Sequence, residues 1–175
     1  MERYIEKFIN YLRVEKNASE HTVKNYLVDL GGFSEFSKDR SAVDMDHLFL
    51  RRFLAELRAK NYSKRTVARK LASLRSFFKF LYREGLIKTN PISAVITPKL
   101  DKKLPVFLDV AKAAKLVESP DTSTVPGLRD RAILETLYST GIRVSELVGL
   151  NMAAVDLISG VVKVFGKGRK ERITP

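Results

Sequence analysis

Two short segments near the end of this 175-residue chain place basic residues in settings suited to phosphate chemistry. Arg143 lies in Thr-Gly-Ile-Arg-Val-Ser-Glu-Leu, where it opens an amphipathic helical pattern and is followed one turn later by Glu146. Lys167 lies in Val-Phe-Gly-Lys-Gly-Arg-Lys, between two glycines that predict the tip of a β-hairpin. Arginine and lysine on short, rigid elements are suited to holding a phosphate and handling its charge.

Each segment also has a simpler interpretation. Arg143 could start a helix and pair with Glu146, because residues three apart on a helix are neighbours. Lys167 could be an ordinary turn lysine, and its glycines are not a nucleotide-binding loop, since the spacing and the trailing Ser or Thr of that motif are missing. The occurrence of both segments, in this order and at this separation, favours the functional interpretation.

The two segments together resemble those of the tyrosine site-specific recombinases, or phage-integrase family, most closely the Xer type. The run Gly-Leu-Arg-Asp-Arg-Ala-Ile-Leu-Glu-Thr-Leu-Tyr-Ser-Thr-Gly (127–141) fits the helix that precedes the family's first catalytic arginine. The resemblance implies that Arg143 is this arginine, that Lys167 is the hairpin lysine, and that Glu146 braces neighbouring site groups. It also implies DNA strand cleavage and rejoining through a phosphotyrosine intermediate, in which Arg143 stabilises the phosphate and Lys167 protonates the leaving 5′-oxygen. No cofactor and no metal are expected.

Other parts of the family's site have no counterpart in these residues. The family adds a His-x-x-Arg segment, another His or Trp and a nucleophilic tyrosine further along, whereas the last tyrosine here is Tyr138 and the histidines are His21 and His47. The helical spacing of Tyr138 from its apolar neighbours predicts packing, not nucleophilic attack. We therefore interpret the chain as the front part of a recombinase, expected to bind DNA but to be inactive alone.

Positive charge is concentrated in one stretch of the sequence. The whole chain has 32 Lys and Arg against 20 Asp and Glu, a net charge of +12. Residues 1–50 contain 7 basic and 9 acidic groups, whereas residues 51–88 contain 12 basic and 2 acidic groups. A solvated helix surface could account for basic residues alone, but their concentration favours a face that binds a polyanion.

Four helices are predicted in the first half of the chain. Apolar spacing predicts a first helix over 2–15 and a second helix that begins after an N-cap at Ser19, with Leu27 on its apolar side. A third helix is predicted over about 46–60, with Leu48 facing inward. The fourth runs from an N-cap at Ser63 to Gly85. This fourth helix is predicted to bury an apolar stripe and to present cationic and small side chains on the opposite face. The predicted stripe consists of Val67, Leu71, Leu74, Phe78 and Leu81. The expected DNA contacts are Thr22, Lys64, Arg65, Arg69, Ser73, Ser76, Lys79 and Arg83, together with Arg169, Lys170 and Arg172 in the hairpin.

The predicted fold is mainly α, with two domains joined by a linker. The resemblance implies a four-to-five-helix SAM-like core-binding domain over 1–95 and the N-terminal part of an α+β catalytic domain with a β-hairpin over 107–175. Three prolines and the lack of a helical period over 89–105 predict an interdomain linker, placed at 96–106. A helix is predicted over about 109–118 and another over 127–139, and the hairpin strands over 161–165 and 171–174.

Composition narrows the setting and the partners. The chain has no cysteine and no apolar run long enough for a membrane span, which fits a cytoplasmic protein with no membrane partner. The expected partner is double-stranded DNA, with family members acting as tetramers in recombination, integration or chromosome partition, and no small-molecule substrate. Two alternatives remain: a stand-alone DNA-binding module that regulates or competes with a full-length recombinase, and a general basic nucleic-acid or ribosome-associated protein.

Overall fold

The computed structural model describes residues 1–38, 40–101, 104–166 and 171–175, which fall into two units, Met1–Lys103 and Leu104–Pro175. Within the described residues the first unit is helical and the second adds a small sheet, which confirms the predicted fold class. The elements of the first unit are α1 (Glu2–Val14), α2 (Glu20–Ser37), a 3₁₀ turn (Ala42–Asp44), α3 (His47–Ala59) and α4 (Lys64–Arg83). Those of the second are α5 (Val110–Val117), α6 (Val125–Thr140), α7 (Val144–Val148), a 3₁₀ turn (Met152–Ala154), β1 (Val155–Asp156), β2 (Val161–Phe165) and β3 (Glu171–Thr174).

Short polar side chains begin the helices of the first unit as the sequence predicts. The Ser19 hydroxyl accepts the Thr22 backbone N–H at 3.3 Å at the start of α2, and Ser63 accepts the Thr66 N–H at 3.2 Å at the start of α4. Gly85 follows the end of α4 with φ of +66°, a left-handed conformation that costs glycine no Cβ clash. These capping residues fix both ends of α4.

The core of the first unit is built around α4 and phenylalanine rings. The predicted α4 stripe is buried, and Phe8, Phe33, Phe77 and Phe78 are fully enclosed. Phe33 makes edge-to-face contacts with Phe53 and Phe78 at centroid separations of 5.0 and 5.9 Å, an arrangement that the ring quadrupoles favour. The confirmed stripe consists of Val67, Leu71, Leu74, Phe78 and Leu81.

Two residues predicted to face the core are instead on the surface. Leu48 is half exposed, while Phe49 and Leu50 are buried, because α3 starts at His47 and its inward face is set by the Phe49, Leu50 and Phe53 side of the helix. Leu27 is likewise 42% exposed on α2, so its predicted inward orientation is wrong. At about 100° per residue, Leu48 lies on the side of α3 opposite the buried residues, and Leu27 lies at the margin of the apolar side of α2.

The segment that follows α4 packs on the first unit before it leaves. Ile92 and Val95 are buried in the core of that unit, and the Arg75 Nη2 donates to the Val95 carbonyl at 2.6 Å. Further on, the Lys64 ammonium contacts both carboxylate oxygens of Asp101 at 3.1 Å. Apolar burial thus extends to Val95, and the domain boundaries and the linker over 96–106 stay predictions.

The second unit confirms the predicted hairpin strands and adds one strand. β2 and β3 pair antiparallel with Val162 opposite Thr174 and Phe165 opposite Glu171, as expected for 161–165 and 171–174. β1 pairs with the other edge of β2, which gives the strand order β1-β2-β3. β1 was not predicted, because two residues carry no alternation signal. The predicted helices appear as α5 and α6, and the buried cluster of this unit comprises Ile142, Val162 and Val164.

Two helical glycines should respond oppositely to alanine. A Cβ at Gly127 would lie 1.8 Å from the Asp121 carbonyl oxygen, whereas a Cβ at Gly31 in α2 would meet nothing within 4 Å. Gly127→Ala should lower the free energy of unfolding of the second unit by about 1–3 kcal/mol, because backbone must shift. Gly31→Ala should raise that of the first unit by about 0.5–1 kcal/mol through helix propensity. Hydrogen exchange resolved by unit measures both, and increased protection of α6 in Gly127→Ala would contradict the close approach.

Candidate functional site

Arg143 stands at a sharp corner between α6 and α7. Gly141 ends α6 in the left-handed region with φ of +61°, and its N–H donates to the Leu137 carbonyl at 3.1 Å. The next residue, Ile142, is 5% exposed and anchors the corner in the core of the second unit. Arg143 then serves as the residue that precedes α7, with its side chain 60% exposed. The corner therefore presents a guanidinium to solvent from a fixed backbone.

Glu146 holds Arg143 through both its backbone and its side chain. Its carboxylate accepts the Arg143 backbone N–H at 2.7 Å and the Arg143 Nη1 at 2.9 Å. The pKa of the Glu146 carboxyl is lowered, chiefly by the backbone hydrogen bond from Arg143, with both guanidinium partners acting in the same direction and desolvation opposing them. The Glu146 side chain is only 5% exposed, so this carboxylate is a fixed, ionised anchor for the arginine.

Arg172 on β3 is the second arginine held by Glu146. Its Nη2 donates to Glu146 Oε2 at 2.8 Å, and the Thr174 hydroxyl donates to the Thr140 carbonyl at 3.0 Å. These two contacts join the hairpin to the ends of α6 and α7. Sequence reasoning assigned Arg172 to DNA; the structure gives part of its guanidinium to Glu146 and leaves its side chain 42% exposed. Lys167, Arg169 and Lys170 lie outside the described residues.

Some predicted contact residues form one exposed surface, the basic face of α4, which consists of Arg65, Arg69, Ala72, Ser76, Lys79 and Arg83. Arg65 and Lys79 are exposed and make no hydrogen bond or ion pair to the residues that the structure describes. Ala72 is exposed and Ser76 half-buried between them, so the middle of the face is small. Cations flanking small residues allow close approach of a helix to a charged groove.

Arg69 and Ser73 have a partner that sequence reasoning missed. Arg69 and Ser73 donate to the buried carboxylate of Asp29 on α2, Ser73 at 2.8 Å, and Lys70 donates to the same carboxylate at 3.2 Å. Ser73 is itself buried, which removes it from the predicted contact surface. The sequence feature that could have revealed Asp29 is its position as an acidic residue on the apolar side of α2, between Tyr26 and Leu30.

The remaining predicted contacts at the first unit are exposed but have local partners. Arg83 donates to the Tyr11 hydroxyl at 2.9 Å and to Glu84, and its hydrogen bond is the main cause of a lowered pKa of Tyr11. Lys64 pairs with Asp101, and the Thr22 hydroxyl lies 2.9 Å from that of Ser19. All three lie at a helix end, and the surface ion pairs of Arg83 and Lys64 can be replaced by a competing anion at little cost.

The described residues contain neither a candidate metal cluster nor a candidate membrane-spanning helix. Across 1–38, 40–101, 104–166 and 171–175 no group of three or more His, Asp or Glu side chains could hold a metal ion. None of the helices in those ranges is both long and apolar enough to cross a membrane.

Comparison with known proteins matches both units. Residues 5–85 match the family described as phage integrase, N-terminal SAM-like domain, and residues 107–175 match the phage integrase family. The tyrosine recombinase XerC of Pelotomaculum thermopropionicum is 46% identical over 98% of this chain and 59% of its own length. XerC of Thermodesulfovibrio yellowstonii is 48% identical over 98% of this chain and 57% of its own length. The chain thus spans less than two thirds of these relatives.

Solved structures share the fold. The crystal structure of a lambda integrase dimer bound to a COC′ core site has a TM-score of 0.77 at 18% identity, over 100% of this chain and 62% of that one. The Tn1549 transposon integrase in complex with circular intermediate DNA has a TM-score of 0.69 at 18% identity, over 98% of this chain and 60% of that one. The two family matches and the XerC relatives show that the chain belongs to the phage-integrase family of tyrosine recombinases.

Proposed function

We propose that these residues bind duplex DNA and supply two charged groups of a tyrosine-recombinase active site. The single observation that carries the proposal is Glu146 holding Arg143 by backbone and side chain while the rest of that guanidinium faces solvent. A fixed arginine of this kind is pre-organised for the non-bridging oxygens of a phosphodiester, and fixed charge costs no reorganisation during reaction. Family membership supplies the substrate class.

The proposed reaction is a transesterification. A tyrosine oxygen supplied from outside these residues attacks the DNA phosphorus; its P–O bond forms as the bond to the 5′-oxygen breaks. Arg143 stabilises charge on the non-bridging oxygens, and Lys167 donates a proton to the leaving 5′-oxygen. Rejoining reverses these steps, with the 5′-hydroxyl attacking the phosphotyrosine. The bond energy is retained in the covalent link, so neither a nucleotide nor a metal is required.

DNA binding is assigned to the first unit. Its basic face carries exposed Arg65 and Lys79 without internal partners among the described residues, and the stretch that contains it has 12 basic against 2 acidic groups. The lambda and Tn1549 integrases that share the fold are bound to DNA in their solved structures. Neutralising phosphates releases counterions, so we expect affinity to fall steeply with salt. We also propose a cytoplasmic location and, in a longer polypeptide, tetramers on paired sites.

A second candidate function is a stand-alone DNA-binding module that regulates or competes with a full-length recombinase. It is favoured by the first unit having a complete buried core and the whole basic face of α4 within itself. The two candidates share DNA binding and differ in covalent chemistry. A covalent protein–DNA adduct formed by a polypeptide that includes these residues and a nucleophile supports the first candidate alone.

The basic face should account for most of the DNA affinity of residues 1–175. Arg65→Ala combined with Lys79→Ala removes two phosphate contacts and should make the negative slope of log K against log salt shallower by about 1.8. Fluorescence anisotropy with a labelled duplex over a salt series gives both the affinity and the slope.

The matched control removes one arginine and one lysine elsewhere. Arg3 and Lys7 are exposed on α1, so Arg3→Ala with Lys7→Ala makes the same change in net charge. This control should leave the slope within experimental error of the unmodified chain. Equal losses in the two double variants would show that net charge, not the basic face, governs binding.

Arg143 and Lys167 should differ in the step they serve. The test uses residues 1–175 joined to the part of the Pelotomaculum XerC that this chain does not span, with a nicked suicide substrate. Arg143→Ala should reduce adduct formation by about 10²–10³, the usual loss on removing one charge-stabilising donor. Lys167→Ala should slow cleavage for a normal 5′-oxygen but not for a 5′-bridging phosphorothioate, which leaves without a proton.

Glu146→Gln and Arg172→Ala test the Glu146 carboxylate that holds Arg143. The first changes this carboxylate, and the second removes the other arginine that donates to it. Glu146→Gln keeps the side-chain shape but weakens the hold on Arg143, so cleavage should fall with either leaving group. Rescue of Arg143→Ala by the phosphorothioate to the same extent as Lys167→Ala would remove the basis for assigning them different roles.

A further inference from the structure

The buried carboxylate of Asp29 is shared by three side chains of a neighbouring helix. Asp29 lies on α2 with 1% of its side chain exposed, and Arg69, Lys70 and Ser73 of α4 all donate to it. Oδ2 accepts from Arg69 and Ser73, and Oδ1 accepts from Lys70 at 3.2 Å. Every buried side-chain oxygen and nitrogen of the described residues has a partner, so the cluster is fully satisfied.

Such a cluster is an expensive way to join two helices. Removing charges from water costs free energy that well-packed apolar side chains would not incur, so a buried ion cluster is weak evidence for a role in stability alone. What it supplies is geometry, because a carboxylate with both oxygens engaged fixes the directions of its donors. A fixed direction matters for function only in a donor that can also reach a ligand at the surface.

Arg69 is the member that reaches the surface. Its side chain is 49% exposed on the basic face of α4, whereas that of Lys70 is 10% exposed and Ser73 is buried. One terminal nitrogen of Arg69 is on Asp29, and the planar guanidinium presents its other N–H groups in a fixed fork. Arg69 therefore has one edge held and another edge available to an external anion.

Lys70 sets the net charge of the cluster around Asp29. One aspartate against one arginine would cancel the charge that a phosphate needs. With Lys70 on the second carboxylate oxygen, the cluster of one anion and two cations keeps a net charge of +1. The buried cation offsets the buried anion, and the exposed cation remains free to act on a ligand.

We propose that Asp29 is a positioning residue that aims the Arg69 guanidinium at a phosphate of duplex DNA. The proposal rests on the proposed function, in that the basic face of α4 is taken as the DNA-binding surface, and it adds a residue of α2 to that surface's machinery. Arg69 is accordingly a phosphate ligand whose contribution depends on orientation as well as charge, and Asp29 acts on DNA only through Arg69.

The experiment is a double-mutant cycle on residues 1–175 with a fluorescein-labelled mixed-sequence duplex at low salt. Asp29→Asn keeps the side-chain shape and raises the net charge by one, so charge alone predicts tighter binding. Positioning predicts weaker binding by roughly three- to tenfold, comparable with loss of one ordinary hydrogen bond. In an Arg69→Ala background, Asp29→Asn should cause no further loss.

Two controls separate positioning from charge and from folding. Glu6 is exposed on α1, so Glu6→Gln makes the same charge change away from the cluster and should leave binding unchanged or slightly tighter. Thermal unfolding of each variant identifies a temperature at which all variants are folded, and binding is measured there. If Asp29 had only a structural role, Asp29→Asn would change the unfolding temperature, but its effect on DNA binding would not depend on Arg69. If Asp29→Asn does not fold, Arg69→Lys decides: it keeps the charge but loses the fork, and should bind nearly as weakly as Arg69→Ala.

The outcomes are distinct. Asp29→Asn binding as tightly as the unmodified chain, an equal loss in the Arg69→Ala background, or Arg69→Lys binding like the unmodified chain would each overturn the positioning role. Failure of the unmodified chain to bind duplex DNA at all would instead overturn the proposed function.

Discussion

One helix, α4, is both the centre of a hydrophobic core and the carrier of a cationic surface. Arg65 and Arg69 are four residues apart, where like charges repel by roughly 0.2–0.5 kcal/mol. Each buried Leu or Phe of the opposite stripe gains about 1.5–3 kcal/mol from burial. Seven apolar residues of α4 are buried, so apolar packing outweighs the repulsion by a wide margin. Charges can therefore be concentrated on the outer side without loss of the fold.

Two carboxylates apply the same device in the two units. Asp29 holds Arg69 and Lys70, and Glu146 holds Arg143 and Arg172. In each case one nearly buried acceptor is shared by two cations, so the pair of cations is oriented while the cluster keeps a net positive charge. An ionised carboxylate accepts but cannot donate, which suits it to this task. The contrast with ordinary surface ion pairs, such as Lys60 with Glu56, lies in burial of the anion.

Local patterns in the sequence predicted what local physics determines. The α4 stripe, the Ser19 and Ser63 caps and the β2–β3 strands all follow from spacing and short-range hydrogen bonding. The inward prediction for Leu48 was wrong because the buried side of α3 is formed by Phe49, Leu50 and Phe53, and Leu48 lies on the opposite side of the helix. Asp29 was missed because its partners are 40 to 44 positions away along the chain, and no local spacing reveals them. For the same reason the sequence did not reveal that Ser73 and Arg172 each donate to a carboxylate, and the DNA contact of Arg172 stays a prediction.

Nuclear magnetic resonance can test the central claim, which is that the basic face of α4 and Arg143 both bind phosphates of duplex DNA. Residues 1–175 labelled with nitrogen-15 would be titrated with duplex DNA, following backbone amides and arginine side-chain N–H groups. We expect the largest shifts at Arg65, Arg69, Ser76 and Lys79, with a separate response at Arg143, all reversed by salt. Shifts concentrated on the outer side of α1, or spread evenly over every exposed cation, would contradict it.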